Sequence, residues 1–280
     1  MQDGRPSQTA HGAAMLRAAH QRFDVPHVLD DPLALRIVGA DAASALRTEP
    51  PRLATPRMRA LRASVAVRSR YAEDRLAAAV ARGVRQYVLL GAGLDTFAFR
   101  NRHQGLRVFE VDHPATQAWK RERLAAAGIA IPDSLTFAPV DFERETLAEG
   151  LRRAGFDRAA PAFFSWLGVT VYLTREAIME TLRFVASSAA GSEIVLTYVV
   201  SDSPLGERTA ELGEPWLTFF DAQSIARDLA ALGFVDVEDL DADETNRRYF
   251  GGRADGLRVG GHGHLVHARV GAREERSCIG

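Results

Sequence analysis

The chain has one cysteine, Cys278, in 280 residues, so it has no partner for a disulfide. A disulfide-stapled fold is excluded and a reducing compartment is expected. No apolar run approaches the ~18–20 residues of a membrane-spanning helix. Residues 1–20 also lack the apolar centre of a secretory signal, so a cytoplasmic location without membrane association is expected. Neither sign of charge is in excess: 35 Lys and Arg stand against 36 Asp and Glu, a net charge of −1. That balance provides no field for nucleic acid or an anionic surface. Internal repeats and low-complexity tracts are absent as well. What is present, 46% hydrophobic and 25% charged residues, suits one large α/β domain with an appendage.

Residues 9–23 read as a helix, and Asp30-Asp31-Pro32 opens another that runs to Val38. Pro50-Pro51 and Pro56 mark a break, after which residues 58–82 suit one or two helices closed by Gly83. The rhythm then becomes strand–helix–strand. Strands are expected over 86–90, 107–111, 135–140, 162–167, 193–199, 234–239 and near 264–270. Helices are expected over 114–127, 146–154, 175–187 and 222–232. Short apolar strands alternating with helices argue for a mainly parallel sheet covered on both faces. Residues 201–220 interrupt this rhythm with Pro204, Gly206, Gly213 and Pro215 and read as an insertion. Residues 1–66 are expected to be helical and part of the same domain as a core over 67–280.

Within that pattern, Tyr87-Val88-Leu89-Leu90 runs straight into Gly91-Ala92-Gly93-Leu94-Asp95-Thr96, a buried strand followed by a glycine turn. The next strand ends in Asp112, 21 positions after Gly91. Glycines let a backbone approach a ligand closely, and a spaced acid accepts hydrogen bonds from ribose hydroxyls, so the pair points to an adenosine-containing cofactor. A dinucleotide fingerprint wants a third glycine where Thr96 stands. Asp95 would also repel a pyrophosphate, whereas an anion beside a sulfonium and an ammonium is favourable. The turn therefore fits S-adenosylmethionine better than NAD. An NAD(P)-dependent oxidoreductase on a similar sheet is the competing reading.

Ligands of open α/β sheets sit outside the carboxyl ends of the strands, at the switch point. Gly91 to Asp95, Asp112, Asp141 and Leu167 to Thr170 fall there. Asp112 is the ribose candidate. Glu110, on the same side of its strand, is a second contact or strand-end solvation. Asp141, with Phe142 beside it, suits the adenine amino group or the N-cap of the following helix. Arg68 and Arg70, read as lying just before the helix that leads to the glycine turn, are candidates to clamp a carboxylate. His113 is a candidate base or a helix-start residue. His262, His264 and His267 invite a metal reading, but no carboxylate or thiol cluster accompanies them. A strand with its preceding loop is preferred, and no metal is expected. Among Trp166, Tyr172, Trp216, Phe219 and Phe220, those in the insertion suit the roof of an acceptor pocket.

Several stretches, in order and spanning nearly the whole chain, are similar to one family. They are Thr9-Ala10 with Arg17-Ala18, Asp30-Asp31-Pro32-Leu33-Ala34, Val67-Arg68-Ser69-Arg70-Tyr71, Gly91-Ala92-Gly93-Leu94-Asp95-Thr96, Phe109-Glu110-Val111-Asp112-His113-Pro114, Val171-Tyr172-Leu173-Thr174 and Gly233-Phe234. The chain resembles the leucine carboxyl methyltransferase-like family, in its bacterial branch of S-adenosylmethionine-dependent O-methyltransferases. The resemblance implies a class I methyltransferase fold: seven mostly parallel strands, helices on both faces, a helical N-terminal cap and a lid insertion near 201–220. It implies S-adenosylmethionine as methyl donor and a small-molecule acceptor such as a carboxylate or acidic hydroxyl. By motif position Arg68 holds the donor's carboxylate, with Arg70 as fallback. Gly91, Ala92, Gly93 and Asp95 form the methionine-side turn, Asp112 meets the ribose, and Asp141 with Phe142 meets the adenine.

The sequence departs from that pattern twice. Trp166-Leu167-Gly168 stands where the bacterial pattern has Trp-Glu-Gly, and Phe97 stands where it has arginine, although Arg100 is retained. Both changes put apolar surface beside the expected site. They fit a more apolar acceptor pocket, or a donor-binding protein with impaired catalysis. Acceptor identity and oligomeric state are not readable from these residues.

Overall fold

The computed structural model describes residues 7–141, 144–201 and 204–272. Five helices precede the first strand: α1 (Gln8–Phe23), α2 (Ala34–Ile37), α3 (Ala40–Ala45), α4 (Pro51–Ala54) and α5 (Pro56–Ala81). The α/β core follows as β1 (Gln86–Leu90), α6 (Phe97–Arg100), β2 (Arg107–Asp112), α7 (Pro114–Ala126), β3 (Leu135–Pro139), α8 (Leu147–Arg153) and β4 (Ala162–Trp166). It continues with α9 (Arg175–Ala186), β5 (Glu193–Val199), α10 (Pro204–Glu211), α11 (Ala222–Ala231), β6 (Phe234–Leu240), α12 (Ala242–Tyr249) and β7 (Gly263–Val270).

The strands form one seven-stranded sheet in the order β3-β2-β1-β4-β5-β7-β6. All pair in parallel except β7, which runs antiparallel to both β5 and β6. This is the class I methyltransferase arrangement. The chain leaves β1 in one direction through β2 and β3, then returns to β4 on its other side. The carboxyl ends of β1 and β4 therefore flank the switch point where such sheets bind ligands.

Strand side chains alternate between two cores. Val88, Leu90, Phe109, Val111 and Phe164 meet Leu151 of α8, Leu182 of α9 and Leu229 of α11. Tyr87, Leu89, Val108 and Phe163 meet Val67, Tyr71 and Leu76 of α5. A third cluster joins Leu16 of α1 and Ile37 of α2 to Leu94 of the glycine turn and Leu124 of α7. The N-terminal helices are thus part of the packed body. Each fully buried aliphatic or aromatic side chain contributes about 1.5–3 kcal/mol. A buried bidentate pair reinforces the seam: Arg62 of α5 donates through Nε and Nη2 to Asp24 at 2.8 and 2.7 Å.

Two expectations change. Arg68 and Arg70 do not precede a helix; they lie within α5, which runs unbroken from Pro56 because Thr55 caps Met58 N and Pro56 suits the first turn. The link before the last strand contains α12, which apolar periodicity does not reveal because the segment is largely polar. Its signal is local. Asp241 caps Glu244 N at 2.8 Å, and Glu244 pairs with Arg247 and Arg248 one turn later.

Candidate functional site

The turn after β1 folds as glycine requires. Gly91 and Gly93 have φ of 69° and 49°, where side chains are strained. A Cβ on Gly91 would lie 2.5 Å from Val169 Cγ2, and one on Gly93 3.1 Å from Ala10 Cβ. Gly91 N and Ala92 N both donate to Val111 O, at 2.9 and 3.1 Å, which ties the turn to the end of β2. Asp95 accepts from Phe97 N at 2.7 Å, holding its carboxylate at the start of α6.

Asp112 ends β2 facing this turn. Its Oδ2 accepts from Gly93 N at 2.6 Å and its Oδ1 from His113 N at 2.8 Å. Each carboxylate oxygen has a second lone pair, so the group is anchored and can still accept from hydroxyls. Burial pushes its pKa up, against the two amides and the nearby Lys120 and His113 charges.

Arg68 reaches the same space from α5. Its guanidinium lies against Gly168, where a Cβ would sit 2.2 Å from Nη1, and is close enough to Tyr172, Arg17 and Asp95 to feel their charges. Among the described residues nothing accepts a hydrogen bond from it. Burial pulls its pKa down from 12.5 to about 10. A half-buried guanidinium with no protein acceptor of its own among the described residues suits an incoming carboxylate. The donor set fits S-adenosylmethionine: an unpaired guanidinium and an acid at the amino-acid end, a glycine turn beneath it, and an anchored carboxylate at the ribose end.

Other candidates are placed elsewhere. Arg70 is exposed and paired with Asp74 at 2.8 Å. Glu110 is not strand-end solvation. It is fully buried, with Oε2 2.6 Å from Nζ of Lys120, the only lysine in the sequence. Glu110 Oε1 has no partner, and burial raises the carboxyl pKa to about 7 despite the lysine. His113 is the N-cap of α7, with Nδ1 accepting from Ala115 N at 3.2 Å, so that nitrogen's lone pair is committed to the helix end. Asp141 lies beyond β3 with its carboxylate 3.4 Å from Arg144 Nε; Thr146, not Asp141, is the N-cap of α8. Phe142 lies outside the described residues. The three histidines each have their own partner: His262 with Ser201, His264 with Asp239 and His267 with Glu193. Leu167 packs into the core on the α5 side, and Trp166 is buried on the other.

How the cap grips the turn has little local signature. Arg17 of α1 donates to Leu94 O at 2.6 Å and to Asp31 Oδ2 at 3.1 Å, and Asp31 accepts from Thr96 Oγ1 at 2.7 Å. Arg17 and Asp31 lie in stretches of resemblance, but their purpose appears only when α1 is placed on the turn.

The pattern of the family described as leucine carboxyl methyltransferase matches residues 10–186, more than half of the chain. The chain belongs to that family. A Bacillus subtilis relative, "Putative S-adenosyl-L-methionine-dependent methyltransferase YktD", is 32% identical over 96% of this chain and 99% of its own length. A Streptomyces coelicolor relative of the same designation is 38% identical over 68% of each chain. The fold is shared with a Thermobifida fusca structure described as a "putative methyltransferase", at TM-score 0.59 and 19% identity over 97% of both chains. It is shared also with a Streptomyces avermitilis protein, at TM-score 0.56 and 15% identity over 92% of this chain and 97% of that one. This leucine carboxyl methyltransferase family member is an S-adenosylmethionine-dependent methyltransferase, and the oxidoreductase reading falls with that assignment. No helix among the described residues is long and apolar enough to cross a membrane.

Proposed function

We propose that this methyltransferase transfers a methyl group to an oxygen of a small molecule, a carboxylate or an acidic hydroxyl. The observation that carries the reading is that, among the described residues, neither His113 nor Tyr172 is poised as a base beside the donor site. His113 is committed to a helix cap, and burial raises the Tyr172 pKa above that of a free phenol. An ionised carboxylate needs no base to act as nucleophile, whereas a neutral alcohol benefits from one.

When bound, S-adenosylmethionine supplies a methyl group already activated on a sulfonium. The chain's own residues bind and orient. Arg68 would take the donor's carboxylate, Asp95 would face its ammonium, and Asp112 would accept from the ribose hydroxyls. Asp141 borders the adenine end. Tyr172 stands between Arg68 and Trp216 of the insertion, where Leu217 and Phe219 present apolar surface. An apolar roof excludes water and leaves in-line placement of the acceptor oxygen as the main source of rate. Leu167 and Phe97 are not part of that roof, since both pack into the α5-side core.

The test is calorimetric titration with S-adenosylhomocysteine, NAD and NADP in parallel, followed by methyl transfer from labelled donor to panels of carboxylates, phenols and amines. Saturable S-adenosylhomocysteine binding with ester or ether products supports the proposal. Methylation confined to amines refutes it.

A further inference from the structure

Glu214 lies on the insertion, yet its carboxylate closes the N-terminus of α1, 205 residues away at Thr9. It accepts from Gln8 N at 2.9 Å, from Thr9 N at 3.2 Å and from Ser7 Oγ at 3.3 Å, and the Thr9 hydroxyl donates to it as well. The first amides of a helix have no intrahelical acceptor, and a carboxylate there satisfies them and complements the helix dipole. Of the first backbone amides, Ser7 Oγ accepts from Ala10 N alone, at 3.1 Å, and α1 has no acid in its first turn. The insertion supplies the anion that this helix end lacks.

The same turn of α1 borders the donor site. Ala10 packs on Gly93, and Thr9 shares Tyr172 with Arg68. Two turns on, Arg17 holds Leu94 O and, through Asp31, Thr96. The insertion is itself anchored beside β4: Leu217 N donates to Val171 O, and Thr218 Oγ1 to Leu173 O, both at 2.6 Å. One helix therefore bridges the donor turn and the roof of the acceptor space, with Glu214 at the joint.

Building on the donor-site reading above, we propose that Glu214 is a positioning residue for the donor pocket. By capping α1 it seats Thr9 and Ala10 over the methionine end, so that the hold on the donor depends on where the insertion lies. Glu214 touches no donor atom in this scheme; its effect runs through α1. Coupling of this kind is reciprocal, so donor binding also fixes the insertion for the acceptor.

The test compares Glu214→Gln with Glu149→Gln in the full chain. Glu149 closes the capping box of α8, so its loss removes a comparable cap away from the donor turn. S-adenosylhomocysteine affinity, by calorimetry, should fall about tenfold in Glu214→Gln and stay within about twofold of wild type in Glu149→Gln, while both lose similar thermal stability. Thr9→Val should weaken binding less, and adding it to Glu214→Gln should cost little more, because both act at one joint. Unchanged affinity in Glu214→Gln, or equal weakening in Glu149→Gln, overturns the proposal. A wild-type chain that binds no S-adenosylhomocysteine overturns the donor-site reading, and this proposal with it.

Discussion

Replacing Arg68 by methionine should make the free protein more stable and the donor site nearly useless. Burial lowers the Arg68 pKa from 12.5 to about 10, with no hydrogen-bond acceptor among the described residues to offset the lost hydration. The side chain is half-buried and solvent still reaches it, so only part of that depression is held against the folded state. Methionine removes the charge and keeps an apolar stem of similar length against Gly168. Unfolding free energy should rise by about 1–3 kcal/mol, because apolar replacements of poorly compensated buried charges are commonly stabilising. The midpoint of thermal unfolding should move up by several degrees. Hydrogen bonds to a charged group contribute about 1.5–3 kcal/mol, so S-adenosylhomocysteine affinity should fall about ten- to a hundredfold. Arg68→Lys keeps the charge without the planar fork, and should bind with intermediate affinity and gain no stability. Thermal unfolding of the ligand-free variants, paired with calorimetric titration, reads both quantities. A methionine variant that melts lower and binds as well as wild type would show that Arg68 is a structural arginine, and the reasoning would fail.

The remaining predictions concern the carboxylates. Asp112→Asn should weaken S-adenosylhomocysteine binding about tenfold or more, since the amide accepts less well from ribose hydroxyls. Because burial raises the Asp112 pKa, wild-type affinity should decline on acidification sooner than for an ordinary aspartate, and the asparagine variant should lose that dependence; titrations across pH check both points. Lys120→Met strands the buried Glu110 carboxylate and should cost about 3–5 kcal/mol in chemical denaturation, most of it recovered by adding Glu110→Gln. Glu110 has its pKa raised from 4.5 to about 7, so its contribution is fully present below pH 4.5 and is lost as pH rises to about 7. Glu110→Gln should therefore gain stability relative to wild type across that window; a constant difference between the two would refute the assignment.

The sheet was legible because its signals are local. Buried strands announce themselves as short apolar runs, and Gly91 to Asp95 with Asp112 marks the switch point from sequence spacing alone. Helix α12 was not legible, because a polar helix held by Asp241 and the pairs of Glu244 shows no apolar stripe. Glu110 and Asp112 share one side of β2, yet α7 covers the first with Lys120 and leaves the second facing the glycine turn. Sequence spacing carries no information about that cover. The least readable part was the joint at Glu214, since a contact across 205 positions leaves no local trace. Arg68 lay between these cases: its motif was visible, but its lack of a hydrogen-bonding partner among the described residues is a property of packing.

The Glu110–Lys120 pair has a practical consequence. The sequence contains a single lysine, and that lysine is almost wholly buried. The folded protein therefore offers no accessible ε-amine to acylating reagents, crosslinkers or amine-coupled surfaces. Acylation of Lys120 must wait for the region between β2 and α7 to open, and its rate becomes a clock for that local event. Slower acylation with donor bound would report, through one chemical tag, how firmly the adenosine edge of the sheet is held shut.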